Sequence, residues 1–255
     1  NPWDPDTNDV WKSNQIGWNF EGLMAYNPDF ELYPVLAAEK ADGTVDATIT
    51  NGGMNINVKL RQNVTFTDGK PMTSKDVVFS YQTLAWGLFQ TQVLDALYWD
   101  DATFTKYDGT ADGTRIGVQA NGTYAVSFYL SQPYAMFWYL TMAVPVCPWH
   151  IWQNHTEAMS SFTGYNTTLE TTWDYGYGSQ AAQKDATIGT GPMYLDSWVK
   201  EQGSVIKPYT NYWGKNMTTS WAGKEYPNYP KYVKEMRFKI YTQLDVAILA
   251  LQNGE

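Results

Sequence analysis

The sequence predicts an α/β fold in which a mixed sheet is flanked by helices. Residues 54–61 alternate apolar and polar side chains with the period of two that a half-buried strand requires. A helix with one apolar face follows at residues 73–84. Residues 233–241 repeat the alternation, and an apolar helical stripe covers residues 244–251. Strands followed by helices at both ends of the chain are typical of the α/β class.

Between the first strand and its helix, Asp68-Gly69 predicts a tight turn, because glycine tolerates a positive φ and Asp bonds its own backbone. Thr73 and Asp76 have the spacing of a capping box, which predicts a helix beginning there. The same spacing predicts a second capping box in the segment 242–245.

The middle of the chain predicts a hairpin followed by a helix. Asn121-Gly122 is a strong turn signal between the strand-like stretches 115–120 and 124–130. Residues 134–140 then predict a helix, and strands are expected through Trp198 and over residues 205–209.

Charge and composition exclude several classes of protein. With 255 residues, the chain is long enough for one or two domains. Its net charge of −9 argues against nucleic-acid binding, which needs clustered Lys and Arg. Cys147 is the single cysteine, so an intrachain disulfide is excluded, and with two His residues a Cys/His metal site is excluded too. We therefore expect no metal and no cofactor.

Other features favour an extracellular or periplasmic location. The chain opens on Asn-Pro-Trp without a signal-like leader, which suggests a mature secreted chain or a trimmed piece of a longer one. The sequence holds 12 Trp and 19 Tyr. Five Asn-x-Ser/Thr triplets would be glycosylation acceptors in a secreted protein, although an Asn- and Thr-rich chain also makes them by chance. They begin at Asn63, Asn121, Asn154, Asn166 and Asn216.

Four motifs resemble one known family. Residues 59–80 contain Lys-Leu-Arg, Val-Thr-Phe, Asp-Gly-Lys-Pro-Met-Thr and Asp-Val-Val-Phe-Ser in order. Residues 189–194 read Gly-Thr-Gly-Pro-Met-Tyr, residues 211–214 read Asn-Tyr-Trp-Gly, and residues 250–255 read Ala-Leu-Gln-Asn-Gly-Glu. This series resembles the family 5 solute-binding proteins, the peptide/nickel-type receptors of ABC importers.

The resemblance implies a fold and a division into domains. The chain would be the first lobe of a large, type II periplasmic-binding-protein-like receptor, with the second lobe absent from this chain. Residues 1–45 and 144–255 would form the discontinuous first-lobe domain, and residues 46–143 a smaller inserted α+β subdomain.

The resemblance also implies candidate ligand contacts in three segments. They are a Glu-Gly-Leu turn at the rim of the cleft, aromatic residues after the helix predicted at residues 73–84, and the proline-rich stretch where the chain re-enters the first-lobe domain after residue 143. The candidates are Glu21, Gly22, Leu23, Trp86, Phe89, Pro145 and His150. Ordinary alternatives exist: Gly22 would cap the C-terminus of a helix with Leu23 in the core, Trp86 and Phe89 would pack in the core, and a lone His beside prolines is more often structural.

The function implied is that of an extracellular receptor, which closes two lobes on an oligopeptide and delivers it to ABC permease subunits. Membrane association would come only through an anchor or that permease. The aromatic content keeps an oligosaccharide ligand open, and a nickel chelate is disfavoured by the scarcity of His. The competing classes are a secreted glycoside hydrolase and a surface-layer or adhesion protein. No Gly-x-Ser-x-Gly or HExxH motif is present, and no pair of carboxylates is singled out, so we expect no enzyme.

Overall fold

The computed structural model describes residues 17–81, 97, 117–130, 132–152, 185, 187–199 and 202–254. Within these residues the strands are β1 Met24–Tyr26, β2 Leu32–Pro34, β3 Ala47–Thr50, β4 Asn55–Lys59, β5 Val118–Ala120, β6 Ala125–Tyr129, β7 Met193–Val199, β8 Gly203–Pro208, β9 Thr218–Trp221, β10 Lys224–Pro227 and β11 Met236–Lys239. The α-helices are α1 Ser74–Phe79, α2 Trp149–Trp152 and α3 Leu244–Gln252, and short 3₁₀ helices cover Asn51–Gly53 and Thr141–Ala143.

A four-stranded sheet in the order β3-β4-β6-β5 carries the largest hydrophobic core. The predicted alternation in β4 is confirmed, because Ile56, Val58 and Leu60 are buried. Val58 lies opposite Val126 in β6, so the two strands contribute to the same core. The predicted hairpin is confirmed as well: β5 pairs with β6 across a turn in which Gly122 has φ +88°.

Helix α1 begins at the predicted capping box. The Asp76 carboxylate accepts the backbone N–H of Thr73 at 2.9 Å. Its other oxygen accepts the backbone N–H of Trp149 at 3.0 Å, at the start of α2. One carboxylate thus satisfies donors from two helix starts, which would otherwise lack partners.

A second sheet, in the order β11-β8-β7, carries a smaller core of Met193, Leu195, Trp198 and Ile206. The strands predicted through Trp198 and over residues 205–209 are β7 and β8. β1 pairs with β2, and β9 with β10, as two separate hairpins. In the described part of the chain every pairing between these strands is antiparallel, so the parallel pairs expected of a mixed sheet do not occur there.

The predicted helix at residues 134–140 is wrong. These residues form consecutive turns that lead into the 3₁₀ helix Thr141–Ala143. The Phe137 N–H bonds to the Tyr134 carbonyl and the Tyr139 N–H to the Met136 carbonyl, links three residues apart. The Leu140 N–H makes a four-residue link to the Met136 carbonyl at 2.9 Å, but no α-helix forms around it. Phe137 is anchored by an edge-on contact with Phe128 of β6, at 5.2 Å between ring centroids. Packing against the sheet therefore prevails over local helix propensity.

Helix α3 occurs where the apolar stripe predicts it and ends before Gly254, which has φ +77°. The second capping box is wrong, because the N-cap is Gln243, whose side chain makes no capping hydrogen bond within the described residues. The stripe is exposed rather than packed: Leu244 and Leu251 are 77% and 75% exposed.

The core around β4 and β6 crosses the predicted domain boundaries. Its buried members include Leu36 and Val146, from the predicted first-lobe domain, beside Val58 and Phe128 from the predicted subdomain. The division at residues 45 and 143 stays a prediction.

Candidate functional site

The Glu-Gly-Leu segment at residues 21–23 runs between two other segments of the chain. The Val146 N–H bonds to the Glu21 carbonyl at 2.9 Å, and the Leu36 N–H to the Gly22 carbonyl at 3.4 Å. A Cβ at Gly22 would lie 2.9 Å from the Ala143 carbonyl carbon and oxygen. Only glycine leaves room for this approach, so the residue type at position 22 fixes how the segment packs.

The Gly-Thr-Gly-Pro motif packs against the residues just before this segment. The Gly191 N–H bonds to the Asn19 carbonyl at 2.9 Å, and a Cβ at Gly189 would overlap that same carbonyl oxygen. The buried Asn19 side chain donates to the Met193 carbonyl at 3.2 Å, at the start of β7. The glycines of the motif therefore allow close backbone packing, the role expected of glycine beside a strand.

The Glu21 carboxylate is held by two aromatic residues of the Asn-Tyr-Trp-Gly motif. The Tyr212 hydroxyl donates to Oε1 at 2.5 Å, and the Trp213 indole N–H donates to Oε2 at 3.1 Å. The same indole N–H also donates to the Thr190 carbonyl at 3.0 Å, so it has two acceptors. These contacts join three motifs that are far apart in the sequence.

Burial dominates the electrostatics of this carboxylate. Loss of solvent raises the pKa of Glu21 from 4.5 to about 7, although the side chains of Tyr212, Thr190 and Trp213 and the charge of Arg61 act in the opposite direction. Burial, and then the charge of Glu21, raise the pKa of Tyr212, so its hydroxyl stays protonated. Burial also raises the pKa of Tyr33.

Arg61, from the first motif, supports the same region. Its Nε donates to the Val35 carbonyl at 2.7 Å, and its guanidinium pairs with Glu39 at 2.9 Å. The guanidinium carbon lies 6.0 Å from the centroid of a Trp213 ring, within the range of a cation–π contact. Arg61 thus places a fixed positive charge behind Trp213.

A cavity of about 350 Å³ opens beside this carboxylate. Its wall combines tyrosine, carboxylate and amide side chains with apolar ones, the composition expected of a small-ligand site. The lining includes Glu21, Gly22, Tyr26, Tyr33, Ala143, Tyr212 and Asn228. Two sequence-predicted candidates, Glu21 and Gly22, therefore meet at one cavity.

The remaining candidates are placed differently. Leu23 is fully buried in the core, and Pro145 lies half-buried between Ala143 of the cavity wall and Val146. His150 bonds through Nε2 to the Asp68 carboxylate at 2.7 Å and lies outside the described lining of this cavity. Trp86 and Phe89 lie outside the described residues. Ligand contact by all seven candidates stays a prediction.

Sequence reasoning missed Tyr33, Tyr212 and Asn228 as cavity residues. The sequence showed the Asn-Tyr-Trp-Gly motif that contains Tyr212. It could not show the contact with Glu21, which is 191 residues away. Tyr33 and Asn228 belong to no recognised motif. Only the fold brings these residues together.

The described part of the chain contains no cluster of three or more His, Cys, Asp or Glu side chains that could bind a metal ion. Among the same residues, no helix has the length and apolar character needed to cross a bilayer.

Comparison with known proteins gives the chain its relatives. The family model described as "Bacterial extracellular solute-binding proteins, family 5 Middle" matches residues 31–255. Protein XP55 of Streptomyces lividans is 29% identical over 196 residues, which are 76% of this chain and 28% of XP55. The periplasmic murein peptide-binding protein MppA of Escherichia coli is 25% identical over 206 residues, 78% of this chain and 32% of MppA. The chain thus spans about a third of the length of these relatives.

Solved structures share the fold. The oligopeptide-binding protein AppA of Bacillus subtilis, in complex with a nonapeptide, superposes with a TM-score of 0.66 at 18% identity, covering 98% of this chain and 40% of AppA. A periplasmic oligopeptide-binding protein of Thermotoga maritima, with mannohexaose bound, gives a TM-score of 0.62 at 21% identity, covering all of this chain and 37% of that protein. The predicted fold class, part of a periplasmic-binding-protein-like receptor, is confirmed by these matches.

Proposed function

The chain belongs to family 5 of the bacterial extracellular solute-binding proteins, and we propose that it binds oligopeptides as part of a receptor that delivers them to an ABC permease. The receptor would act outside the cytoplasmic membrane and would release its ligand chemically unchanged. Hinge closure of two lobes would hide the ligand from water and make docking on the permease depend on the bound ligand.

The observation that supports this proposal is the cavity beside Glu21. Extended peptides are recognised mainly through backbone hydrogen bonds, with looser pockets for side chains. The cavity offers Tyr33, Tyr212 and Asn228 as polar groups on a wall that also contains apolar side chains. Its volume lies near the lower end of the range for small-ligand sites, roughly 300–1,000 Å³, so it would take one part of a peptide rather than a whole chain.

Calorimetric titration of the full-length protein with penta-alanine tests the proposal. We expect binding with no change in the peptide, checked by mass spectrometry of the recovered ligand. Tyr33→Phe removes one hydroxyl from the cavity wall and is expected to weaken binding roughly 2- to 10-fold, the worth of one hydrogen bond. Tyr194→Phe in β7 is the matched control, because Tyr194 lies outside the lining of this cavity. Equal affinities of both variants for penta-alanine would argue against peptide binding in this cavity. Cleavage of the peptide would argue against a receptor that leaves its ligand unchanged.

An oligosaccharide is the second candidate ligand, because a surface of exposed aromatic rings adjoins the cavity. Tyr26, a cavity residue, stacks on Phe30 with 5.7 Å between centroids and 14° between planes. On the β9–β10 hairpin, Trp221 contacts Tyr226 at 5.5 Å between centroids. The Asn27 side chain donates to the Ser220 carbonyl at 3.2 Å, which joins the two hairpins. Flat aromatic faces of this kind stack well on the apolar faces of sugar rings.

Mannohexaose in the same titration separates the two ligand classes. If the sugar binds, Phe30→Ala should weaken sugar binding and leave penta-alanine binding unchanged. Release of shorter sugars would instead indicate a glycoside hydrolase. If neither peptide nor sugar binds, a surface-layer or adhesion role becomes the better explanation.

A further inference from the structure

The Glu21 clasp, meaning Glu21 with Tyr212 and Trp213, gives each carboxylate oxygen one aromatic donor, and the Thr190 side chain also acts on the carboxylate. A carboxylate only accepts hydrogen bonds, and here Oε1 accepts from the Tyr212 hydroxyl and Oε2 from the Trp213 indole N–H. A protonated carboxyl group carries a donor of its own, so one of the two oxygens becomes a hydroxyl that needs an acceptor within the clasp. The hydrogen bonding of the clasp therefore depends on one proton.

The two neighbours differ in how they can respond to that proton. The Trp213 indole N–H has a second acceptor, the Thr190 carbonyl at 3.0 Å, so it keeps a partner when Oε2 turns away. An indole nitrogen cannot accept a hydrogen bond, whereas a tyrosine hydroxyl both donates and accepts. Tyr212 can thus accept the new carboxyl proton and turn its own hydroxyl proton elsewhere. Tyr212 belongs to the lining of the cavity beside Glu21.

We propose that Glu21 is a proton-sensitive positioning residue: as a carboxylate it holds the Tyr212 hydroxyl, and as a carboxylic acid it frees that hydroxyl to donate into the cavity. Ligand recognition would then depend on pH through Tyr212, without ligand contact by Glu21 itself. This inference rests on the proposed function only where it concerns the ligand, because the rearrangement of the clasp occurs in the empty protein.

The surroundings of the clasp favour titration in the accessible pH range. Burial brings the pKa of Glu21 to about 7. Within the described residues, the other titratable or charged groups acting on the clasp are Tyr33, Tyr212 and Arg61, and Arg61 is paired with Glu39. Both tyrosines have a raised pKa and stay neutral, and the Arg61 charge does not change, so one proton at Glu21 is the variable.

The indole N–H of Trp213 reports the state of the clasp directly. The full-length protein would be labelled with ¹⁵N-tryptophan, and the Trp213 signal would be assigned by its loss in Trp213→Phe. We expect this signal to move between pH 5.5 and 8.5 with a midpoint of about 7. In Glu21→Gln it should stay fixed over the same range. A Trp213 signal that does not titrate, or that titrates equally in Glu21→Gln, would overturn the proposal.

A second variant keeps the test decisive if Glu21→Gln fails to fold. Tyr212→Phe removes a hydrogen bond that favours the charged form of Glu21, so the midpoint of the Trp213 signal should move to higher pH. Tyr194→Phe is the matched control and should leave the midpoint where it is. A midpoint unchanged in Tyr212→Phe would contradict the assignment of the proton to this clasp.

Stability gives a further readout with a defined sign. The folded-state pKa of Glu21 is raised from 4.5 to about 7, so between these values the folded protein holds more protons than the unfolded chain. The free energy of unfolding must therefore fall as pH rises through this window. The difference between wild type and Glu21→Gln in urea unfolding at pH 5, 6, 7 and 8 isolates this contribution. A difference independent of pH would count against the proposal.

Ligand binding separates this inference from the proposed function. Penta-alanine, whose carbonyls accept hydrogen bonds, should bind roughly 2- to 10-fold more tightly at pH 6 than at pH 8, with the difference lost in Glu21→Gln and Tyr212→Phe. If the Trp213 signal titrates but penta-alanine does not bind, the proposed peptide binding is wrong and the proposed rearrangement of the clasp is supported. If penta-alanine binds with the same affinity at both pH values, the proposed coupling of the clasp to the ligand is wrong and the proposed receptor function is supported.

Discussion

The four-stranded sheet and helix α3 both display an apolar face in their sequences, but only the sheet buries it. Val58 in β4 and Phe128 in β6 are fully buried, whereas Leu244 and Leu251 in α3 are among the most exposed apolar side chains of the described residues. Periodicity correctly predicts a strand and a helix in the two places. A sequence period therefore identifies which side chains share a face, whereas tertiary structure decides whether another element covers that face.

The starts of the two longer helices differ in the same way. In α1, Asp76 bonds back to Thr73 and also across to Trp149, so the cap is part of the packing between helices. In α3, Asp245 lies in the first turn without such a contact among the described residues, and the N-cap is Gln243. One sequence pattern thus produced a capping box where tertiary contacts reinforce it and none where the helix is exposed.

The largest expected difference between the two regions comes from matched leucine truncations. Leu60→Ala, beside β4, should lower the free energy of unfolding by about 2–5 kcal/mol, because it removes a buried side chain and leaves a cavity. Leu251→Ala in α3 should change it by less than about 0.5 kcal/mol, as for other exposed sites. Urea unfolding of both variants measures this. Comparable losses would show that the α3 stripe is covered in solution.

A smaller effect is expected where backbones pack closely at the candidate site. Gly22→Ala puts a methyl group 2.9 Å from the Ala143 carbonyl, a contact that only a backbone shift can relieve. Overpacking of this kind costs roughly 1–3 kcal/mol. Gly17→Ala is the matched control, since a Cβ there meets nothing within 4 Å. If thermal unfolding shows the two variants to be equally stable, the close packing of the Glu-Gly-Leu segment is not a constraint.

The features that were predicted correctly from the sequence depend on interactions between residues that are close together in the chain. The β5–β6 hairpin and the start of α1 depend on neighbours within a few residues, and both were predicted correctly. The turns at residues 134–140 were predicted as a helix because the contact between Phe137 and Phe128 is not visible locally. The cavity could be predicted only in part. Motifs supplied Glu21 and Gly22, but the contact of Glu21 with Tyr212 depends on the whole fold between them.

The smallest expected effect compares the two helix starts directly. Asp76→Ala removes the acceptor of the Thr73 and Trp149 N–H groups, and loss of such a cap costs about 0.5–2 kcal/mol. Burial raises the pKa of Asp76, so the cost of a buried charge offsets part of this capping gain. Asp245→Ala removes only a first-turn charge near the α3 dipole, worth about 0.3–1 kcal/mol and screened by salt.

Salt separates these two contributions. In urea unfolding at low and high salt, the effect of Asp245→Ala should shrink as salt rises, because exposed charges are screened. The effect of Asp76→Ala should persist, because it comes from two backbone N–H groups that lose their acceptor rather than from a long-range field. An Asp76→Ala effect that disappears in salt would mean that α1 depends on its surface charge like α3, and the contrast between the buried and the exposed region would not extend to their helix caps.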